Sequence, residues 1–545
     1  MADQFAKETM AEYNRELQKQ SNIRNLWQRT ADHMYPYVQI TSEFSAGTDR
    51  TQMIYDMTPM LDMLDMVSGF KQVLIPAGQT FFEIRVDDSL GRVDAVQRYI
   101  SYLTQKAHDA LFKSNFMTQF DQVLISGITF GPMCMYSEWR KGKGLNFKSS
   151  KIGSYVIFED DSENVIGSIH RFKLSARSAY DLYGEKAGEK VLKAADSAEH
   201  QWDEFWFLYK IMPRKVDPKR PKTFNKNMPY GAWLINEADC VTVEESGYHE
   251  NPYATARWMR PEYEKDGRGI GTEMLPQIKV LFEMTKDFLT CGGKWADPPK
   301  QALSDSVEGE IRTGKGAITW VNQLDALKSQ DSGMNGNFPI TEKILLYQTE
   351  IIDRAFFKRA FDPLSDLTGD RRTRLEIQER IRGTLKKLGP PVNRIWYELL
   401  TKVIERSVLE LIRNREVAPP PAELAGVNFG IDYVGPLALA LKSEQAAGFV
   451  EWASAIGELN IAFPDAHVDD NIDFDDAIPR MGRTFGVNVE DMATAEERDA
   501  KRQARQQAAE QQQMLMAAEA GSKAYKNASG TPEKGSPAEA LIGAA

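Results

Sequence analysis

Three stretches of this sequence carry residue types at spacings that could do chemistry. In VEGEIRTGKGAITW, Val307 to Trp320, Gly309 is followed after four residues by Gly314-Lys315. A loop of that kind cradles nucleotide phosphates with backbone N–H groups and a lysine. It also needs a strand before it, a helix after it, and a Ser or Thr hydroxyl for Mg²⁺ directly after the lysine. Gly316 occupies the hydroxyl position, QALSDSVEGE is not a buried strand, and GAITW reads as strand. The stretch is therefore expected to be a turn between short strands.

GRGIGTEM, Gly267 to Met274, resembles a dinucleotide fingerprint because a helical pattern follows it, but Met274 stands where the third glycine belongs and charged PEYEKD precedes it. A flexible entry to the helix is the expectation. HVDDNIDFDD, His467 to Asp476, has the oxygen density of a cation site; against a calcium loop begun at Asp469, Phe474 takes the glycine position and Arg480 the closing glutamate. It reads as a solvated acidic segment whose Asp473 or Asp475 caps the next helix. Neither G-x-S-x-G nor H-E-x-x-H occurs, the six histidines are scattered, and paired carboxylates such as Asp87-Asp88 and Asp160-Asp161 fall in turn-like sequence. No catalytic, cofactor or metal site is expected.

The elements that would position any site come next. With 545 residues, 42% of them hydrophobic, the chain can build several packed units. A net charge of −11, from 67 Lys+Arg against 78 Asp+Glu, disfavours gripping nucleic acid inside a positive sleeve. Cys134, Cys240 and Cys291 are too far apart for a zinc pair or a disulfide framework, which fits a reducing compartment. MADQFAKETMAEYNREL has no apolar core of a signal peptide, and no run approaches roughly 18 apolar residues, so the expectation is a cytoplasmic chain without a membrane span.

Ala2 to Tyr35 reads as one polar helix ending at Pro36, and a second helix runs from Pro59 to about Val73. From Leu145 to Trp258 short runs rich in β-branched and aromatic residues predict a sheet-containing unit, with SYVIFEDDSENVIGSIHRFKL as a hairpin and FWFLYKIM and GAWLI as strands. Gly271 to Thr290, with Leu275, Ile278, Leu281, Phe282, Phe288 and Leu289 on one face, and Thr341 to Phe361 are periodic helices, each about 30 Å long at 1.5 Å per residue. Between them lie residues rich in Gly, Pro, Asp and Ser, an excursion from Cys291 to Ile340. A polar loop, DPLSDLTGDRRT, is followed by a capping box at Thr373-x-x-Glu376 and a long helical stretch to about Arg413, kinked or broken at Gly389-Pro390-Pro391. A second capping box, Thr494-x-x-Glu497, opens an Ala/Gln/Arg-rich helix that is expected to decay into disorder from Ser522. The fold class is α+β, mainly helical.

Several segments, in order, resemble the portal or head-to-tail connecting proteins of short-tailed double-stranded DNA phages. They are Arg24-Asn25-Leu26-Trp27 ahead of Pro36; Tyr55-Asp56, Thr58-Pro59, Pro76 and Phe81-Phe82; Gly247, Pro252, Arg257 and Trp258; and LPQIKVLFEM with Asp297-Pro298-Pro299. ERIRGTLKKLGPPVNRIWYELLTKVIERSVLELI, YVGPLALALKSEQ and DNIDFDDAIPRMGRTFGV complete the set, which spans Arg24 to about Arg498. Two details depart from the family: bulky residues between Thr373 and Glu376, and DGRGIG in place of the usual Tyr-Gly before the first long helix.

The resemblance implies a ring of about twelve copies built from heterologous contacts. It implies a wing at 1–270, stem helices at 271–290 and 341–361, a clip at 291–340, a tunnel loop at 362–372, wing return helices at 373–427, a crown at 428–500 and a Gln/Ala-rich tail at 501–545. The implied partners are double-stranded DNA passing without sequence specificity, the terminase ATPase motor, major capsid and scaffolding proteins, and tail adaptor and internal core proteins. The implied location is the capsid vertex, with host cytoplasm during assembly. A conduit must let DNA slide, so an acidic wall with a few basic points suits it better than a basic sleeve. Lys358, Arg359, Arg371, Arg372 and Arg374 are the candidate DNA contacts, with intersubunit salt bridges as the other use for them. Asp297, Arg312, Lys315 and Trp320 are the candidate clip docking residues. Two other classes stay open: an enzyme of unfamiliar chemistry, which requires a deep pocket with perturbed carboxylates, and a cytoplasmic helical scaffold, which requires heptads that Gln503 to Gln513 do not supply.

Overall fold

The computed structural model describes residues 3–41, 45, 47–76, 80–86, 94–219, 225–296, 338–358, 389–424, 429–434 and 495–529, with short pieces at 300–302, 307–308, 320–321, 327–329 and within 452–458. The chain divides into two units, Met1–Leu441 and Lys442–Ala545.

The N-terminal polar stretch is two helices, not the single one its composition suggests: α1 (Gln4–Lys19) and α2 (Ser21–Met34). The break falls at Gln20, whose side-chain amide donates to the buried Asp266 carboxylate at 2.6 Å. α2 is pinned by two residues of the RNLW segment. Arg24 donates to the carbonyls of Gly153 and Ile40, and the Trp27 indole N–H donates to the Phe130 carbonyl at 3.1 Å. α3 (Thr58–Leu74) starts where Asp56 accepts from the Thr58 N–H at 2.8 Å and Pro59 fills a first-turn position that needs no donor. α4 (Asp94–Lys113) and α5 (Phe116–Thr129) follow β1 (Phe82–Arg85).

Two sheets come next. β2 (Pro132–Arg140), β3 (Gly144–Ser149) and the later β9 (Tyr253–Arg257) form an antiparallel sheet of order β3-β2-β9. β4 (Tyr155–Glu159), β5 (Val165–Ser175), β6 (Glu204–Pro213), β7 (Tyr230–Asn236) and β8 (Val241–Tyr248) form an antiparallel meander in chain order. The predicted hairpin is β4–β5, and FWFLYKIM and GAWLI are β6 and β7. Short helices α6 (Ala176–Tyr183) and α7 (Glu189–Ala195) cover one face of this meander, burying Val191 against Phe207 and Leu234.

The long helices are α8 (Ile270–Ala296) and α9 (Phe338–Ala355). Compared with the expected 271–290 and 341–361, α8 runs farther and α9 ends sooner, before Asp362-Pro363. The stop is a local one: Phe357 takes φ 54 directly after the buried Phe356. Beyond it, Gly389–Arg413 is one helical run with a π-helical stretch at Ile395–Leu400. Pro390 and Pro391 sit at its start, where a missing donor costs little. The principal core draws on α3, α4, α5, β2, α8, α9 and this return helix, and holds Phe70, Phe120, Trp258, Leu281, Phe356 and Ile404. β1 closes it by pairing with β14 (Gly430–Tyr433). In the second unit, the helix Ala495–Ser529 extends past Ser522, where disorder was expected; Gly530 is the first strong breaker after Gly521. Thr494 and the segments 362–388 and 467–476 lie outside the described residues.

His170 of β5 locks the two sheets together. Its ring stacks on Tyr253 of β9 with centroids 3.7 Å apart, and its Nε2 lies 2.9 Å from the Ser168 hydroxyl. Burial drives its pKa down to about 3, with Lys148 adding a smaller push. A histidine depressed below its usual value of 6.5 contributes stability that is present above that value and lost as pH falls toward 3. The loss amounts to about 1.4 kcal/mol per pH unit. His170→Phe is therefore expected to flatten the acid limb: the stability difference between variant and wild type should shift by about 2 kcal/mol in the variant's favour from pH 7 to pH 5. Denaturant unfolding at the two pH values measures it, and parallel curves would contradict it.

Candidate functional site

The helix, excursion, helix unit is present. α8 and α9 pack against one another, and the chain between them is tied by two antiparallel pairings. β10 (Lys300–Ala302) pairs with β13 (Leu327–Ser329), and inside that frame β11 (Val307–Glu308) pairs with β12 (Trp320–Val321). The strand that enters the Gly309 stretch is thus bonded antiparallel to the strand that leaves it, which is hairpin topology, whereas a phosphate loop leads from strand to helix. Trp320 presents 71% of its surface to solvent. Asp297, Arg312 and Lys315 lie outside the described residues.

The glycine-rich entry to α8 is close-packed, not flexible. A β-carbon on Gly269 would stand 2.6 Å from the carbonyl oxygens of Gly127 and Ile128, and one on Gly271 would stand 2.6 Å from that of Thr129. Bare backbone is needed there so that α8 can start against the C-terminal turn of α5. Thr272 closes the turn, its hydroxyl accepting from the Gly269 N–H at 3.0 Å.

On one side α8 and α9 bury Ile278, Leu281, Phe282 and Ile352 in the core, and Leu275 is buried as well. Elsewhere on the same helices large apolar side chains face solvent: Leu289 is 58% exposed, Leu346 63% and Tyr347 59%. Leu289 belonged to the apolar face expected from periodicity; the core ends before it is reached. Together they leave apolar surface exposed on both helices.

An ion-pair cluster ties the two sheets to the return helix. Arg257, at the end of β9, is 3% exposed and its guanidinium is shared. It bonds the Glu159 carboxylate, contacts Glu398 twice at 3.3 Å, and donates to the Glu163 carbonyl at 3.1 Å. Glu398 also accepts from the Arg257 backbone N–H at 3.2 Å. One side chain therefore joins the meander, the three-stranded sheet and the π-helical stretch of the return helix. Its neighbour Trp258 is in the core, tilted against Phe70 at 5.3 Å.

Lys358 is the one candidate DNA contact among the described residues. Its ammonium lies 2.8 Å from Asp62 of α3 and 3.4 Å from Asp353 of α9, and its side chain is 40% exposed. Burial pushes the Asp62 carboxyl up to about 7; the Lys358 bond opposes that rise and Asp353 adds to it. Arg359, Arg371, Arg372 and Arg374 lie outside the described residues. Sequence reasoning missed Asp62, Glu159 and Glu398. The only signal for Asp62 was a charge on the apolar side of an otherwise regular helix.

An open cleft of about 270 Å³ is lined by Lys106, Lys113, Trp139, Lys143, Leu411 and Glu416, among others. The carboxylates whose pKa burial raises, Asp62, Asp266 and Glu405, do not line it. Among the described residues no helix is long and apolar enough to cross a membrane, and no group of His, Cys, Asp or Glu is arranged to hold a metal ion.

Comparison with known proteins fits this architecture. The chain is 22% identical over 535 residues to the portal protein of Salmonella phage epsilon15, covering 94% of this chain and 93% of that protein. It is 22% identical over 433 residues to the probable portal protein of Bordetella phage BPP-1, covering 76% of each. Residues 6–492 match the profile described as bacteriophage head to tail connecting protein. With that match running from α1 almost to the C-terminal helix, the chain belongs to the bacteriophage head to tail connecting protein family.

Proposed function

We propose that this chain is a portal: about twelve copies close into a ring at one capsid vertex, and double-stranded DNA passes through the bore during packaging and ejection. The observation that carries this reading is the α8, strand excursion, α9 unit with apolar side chains left uncovered on both helices, in a chain of the connector family. In a ring those side chains meet the neighbouring subunit. α8 and α9 are the stem, the excursion within 291–340 is the clip that receives the terminase ATPase motor and then the tail adaptor, and 362–372 is the tunnel loop. Residues 1–270 and 373–427 are the wing, and 428–500 the crown facing internal core proteins. Capsid and scaffolding proteins surround the ring, first in the host cytoplasm and then in the virion. The chain hydrolyses no nucleotide; the motor does.

The net charge of −11 suits such a conduit, because each phosphate neutralised strengthens binding and slows sliding. Arg359, Arg371, Arg372 and Arg374 are the proposed basic points. Lys358 would reach a phosphate only by giving up its carboxylates, so the arginines contribute more. Asp297, Arg312, Lys315 and Trp320 are the proposed clip contacts.

Native mass determination with negative-stain imaging tests the reading: a ring of about twelve copies with a hole the width of a duplex is expected, and a monomer under all conditions would refute it. Arg371→Ala/Arg372→Ala is expected to leave the ring intact and lower the DNA content of heads. Normally filled heads would remove these arginines from the bore.

A further inference from the structure

α9 ends in an unusual way. Its last turn closes through Phe356 N–H to the Ile352 carbonyl at 3.0 Å and Phe357 N–H to the Arg354 carbonyl at 3.2 Å. Phe357 then adopts φ 54. That left-handed position after a helix usually belongs to glycine, and a bulky side chain is strained there. Such a conformation persists only where its surroundings hold it on both sides. On one side is Phe356, fully buried. On the other is Lys358, whose ammonium is held by Asp62 across the interface with α3 and by Asp353 one turn back on α9.

The charges there do not balance: two carboxylates face one ammonium. Asp62 has a fully buried side chain, and its Oδ2 has no hydrogen-bond partner while Oδ1 accepts from Lys358. The other ionisable groups on the packed elements are elsewhere. Asp65 is exposed, Arg354 pairs with Glu350, and Lys71 pairs with Asp121 of α5; on α8, which also packs on α9, Glu283, Lys286 and Asp287 are exposed and the charge acting on Lys279 is that of Arg29. One proton on the carboxyl pair would leave a single carboxylate, a single ammonium and a neutral acid, which is a balanced set.

We propose that Asp62, Asp353 and Lys358 form a proton-gated latch that fixes the end of α9 to α3 and holds Phe357 in its left-handed turn. With the proton bound, the latch is neutral and closed. When the proton leaves, Asp62 and Asp353 repel each other across the one ammonium, Lys358 can satisfy only one of them, and Phe357 is free to relax. The Asp62 carboxyl, pushed up to about 7, sets the range. An Asp whose folded value is raised contributes stability that is complete below its ordinary value of 3.8 and is lost as pH rises through the folded value. The latch is therefore tight at pH 5.5 and loose at pH 8.5.

Hydrogen exchange of the full chain, read as protection factors that divide out the intrinsic pH dependence, tests this on a peptide covering 350–358. Protection at pH 5.5 is expected to exceed that at pH 8.5 by about tenfold or more. Asp62→Asn keeps the acceptor for Lys358 and removes the charge, so its protection should be high at both pH values. Lys358→Gln should be low at both. Equal wild-type protection at the two pH values, an Asp62→Asn variant that tracks wild type, or a parallel loss in a control peptide at 275–285 of α8 would each overturn the latch.

Discussion

Arg257→Ala is expected to destabilise the chain by about 3–5 kcal/mol, because it removes the counter-ion that Glu159 and Glu398 share and leaves Glu159 only the longer 3.4 Å contact with Arg260. Glu159 and Glu398 have side chains only 14% and 16% exposed, and they reach Arg257 from different parts of the fold. The magnitude comes from the charges left behind more than from bonds lost. A triple variant with Glu159→Gln and Glu398→Gln beside Arg257→Met should therefore recover much of the loss, since uncharged groups of similar volume carry no such penalty. Denaturant unfolding of the three proteins decides the matter. A loss under about 1 kcal/mol for Arg257→Ala would mean that water reaches the cluster and the clamp is superficial.

The second large effect concerns assembly. Leu289→Glu with Leu346→Glu is expected to leave the folded monomer within about 0.5 kcal/mol of wild type, since both side chains already face solvent in the single chain. It is expected to abolish the proposed ring, because each subunit boundary of that ring would then enclose unpaired carboxylates costing on the order of several kcal/mol apiece. Native mass determination reads the assembly, and circular dichroism with thermal melting checks the fold. Rings forming at the wild-type concentration would show that these residues face the bore or the exterior, and would move the subunit boundary elsewhere on the stem.

The two predictions differ in how much the sequence foretold. Arg257 stood in the sequence as part of an ordered family-like set, with nothing local to say that it was a clamp. Its acceptor Glu398 is 141 residues away, and the π-helical turn that carries Glu398 has no sequence signature in the helical periodicity around it. Leu289 was foreseen on the same helical face as Leu275, Ile278, Leu281 and Phe282, yet unlike them it is exposed. Periodicity says which residues share a side of a helix, and where a core stops depends on the elements that reach it.

The same division runs through the whole molecule. Sequence alone determined what neighbours in the chain decide: the strands β4 to β7 of the meander, the two long helices, and the start of α3 at Thr58-Pro59. Alternation, helical period and capping all act within a few residues. The family relationship was also legible, because many weak motifs in order are specific where one is not. Only the tertiary structure decided the break at Gln20, set by Asp266 at a separation of 246 residues, and the binding of Lys358 by Asp62 across 296. It also decided that the glycines before α8 serve close packing on α5. A buried polar group must find a partner, and which partner lies within 3 Å is fixed by packing between elements, on which chain order is silent.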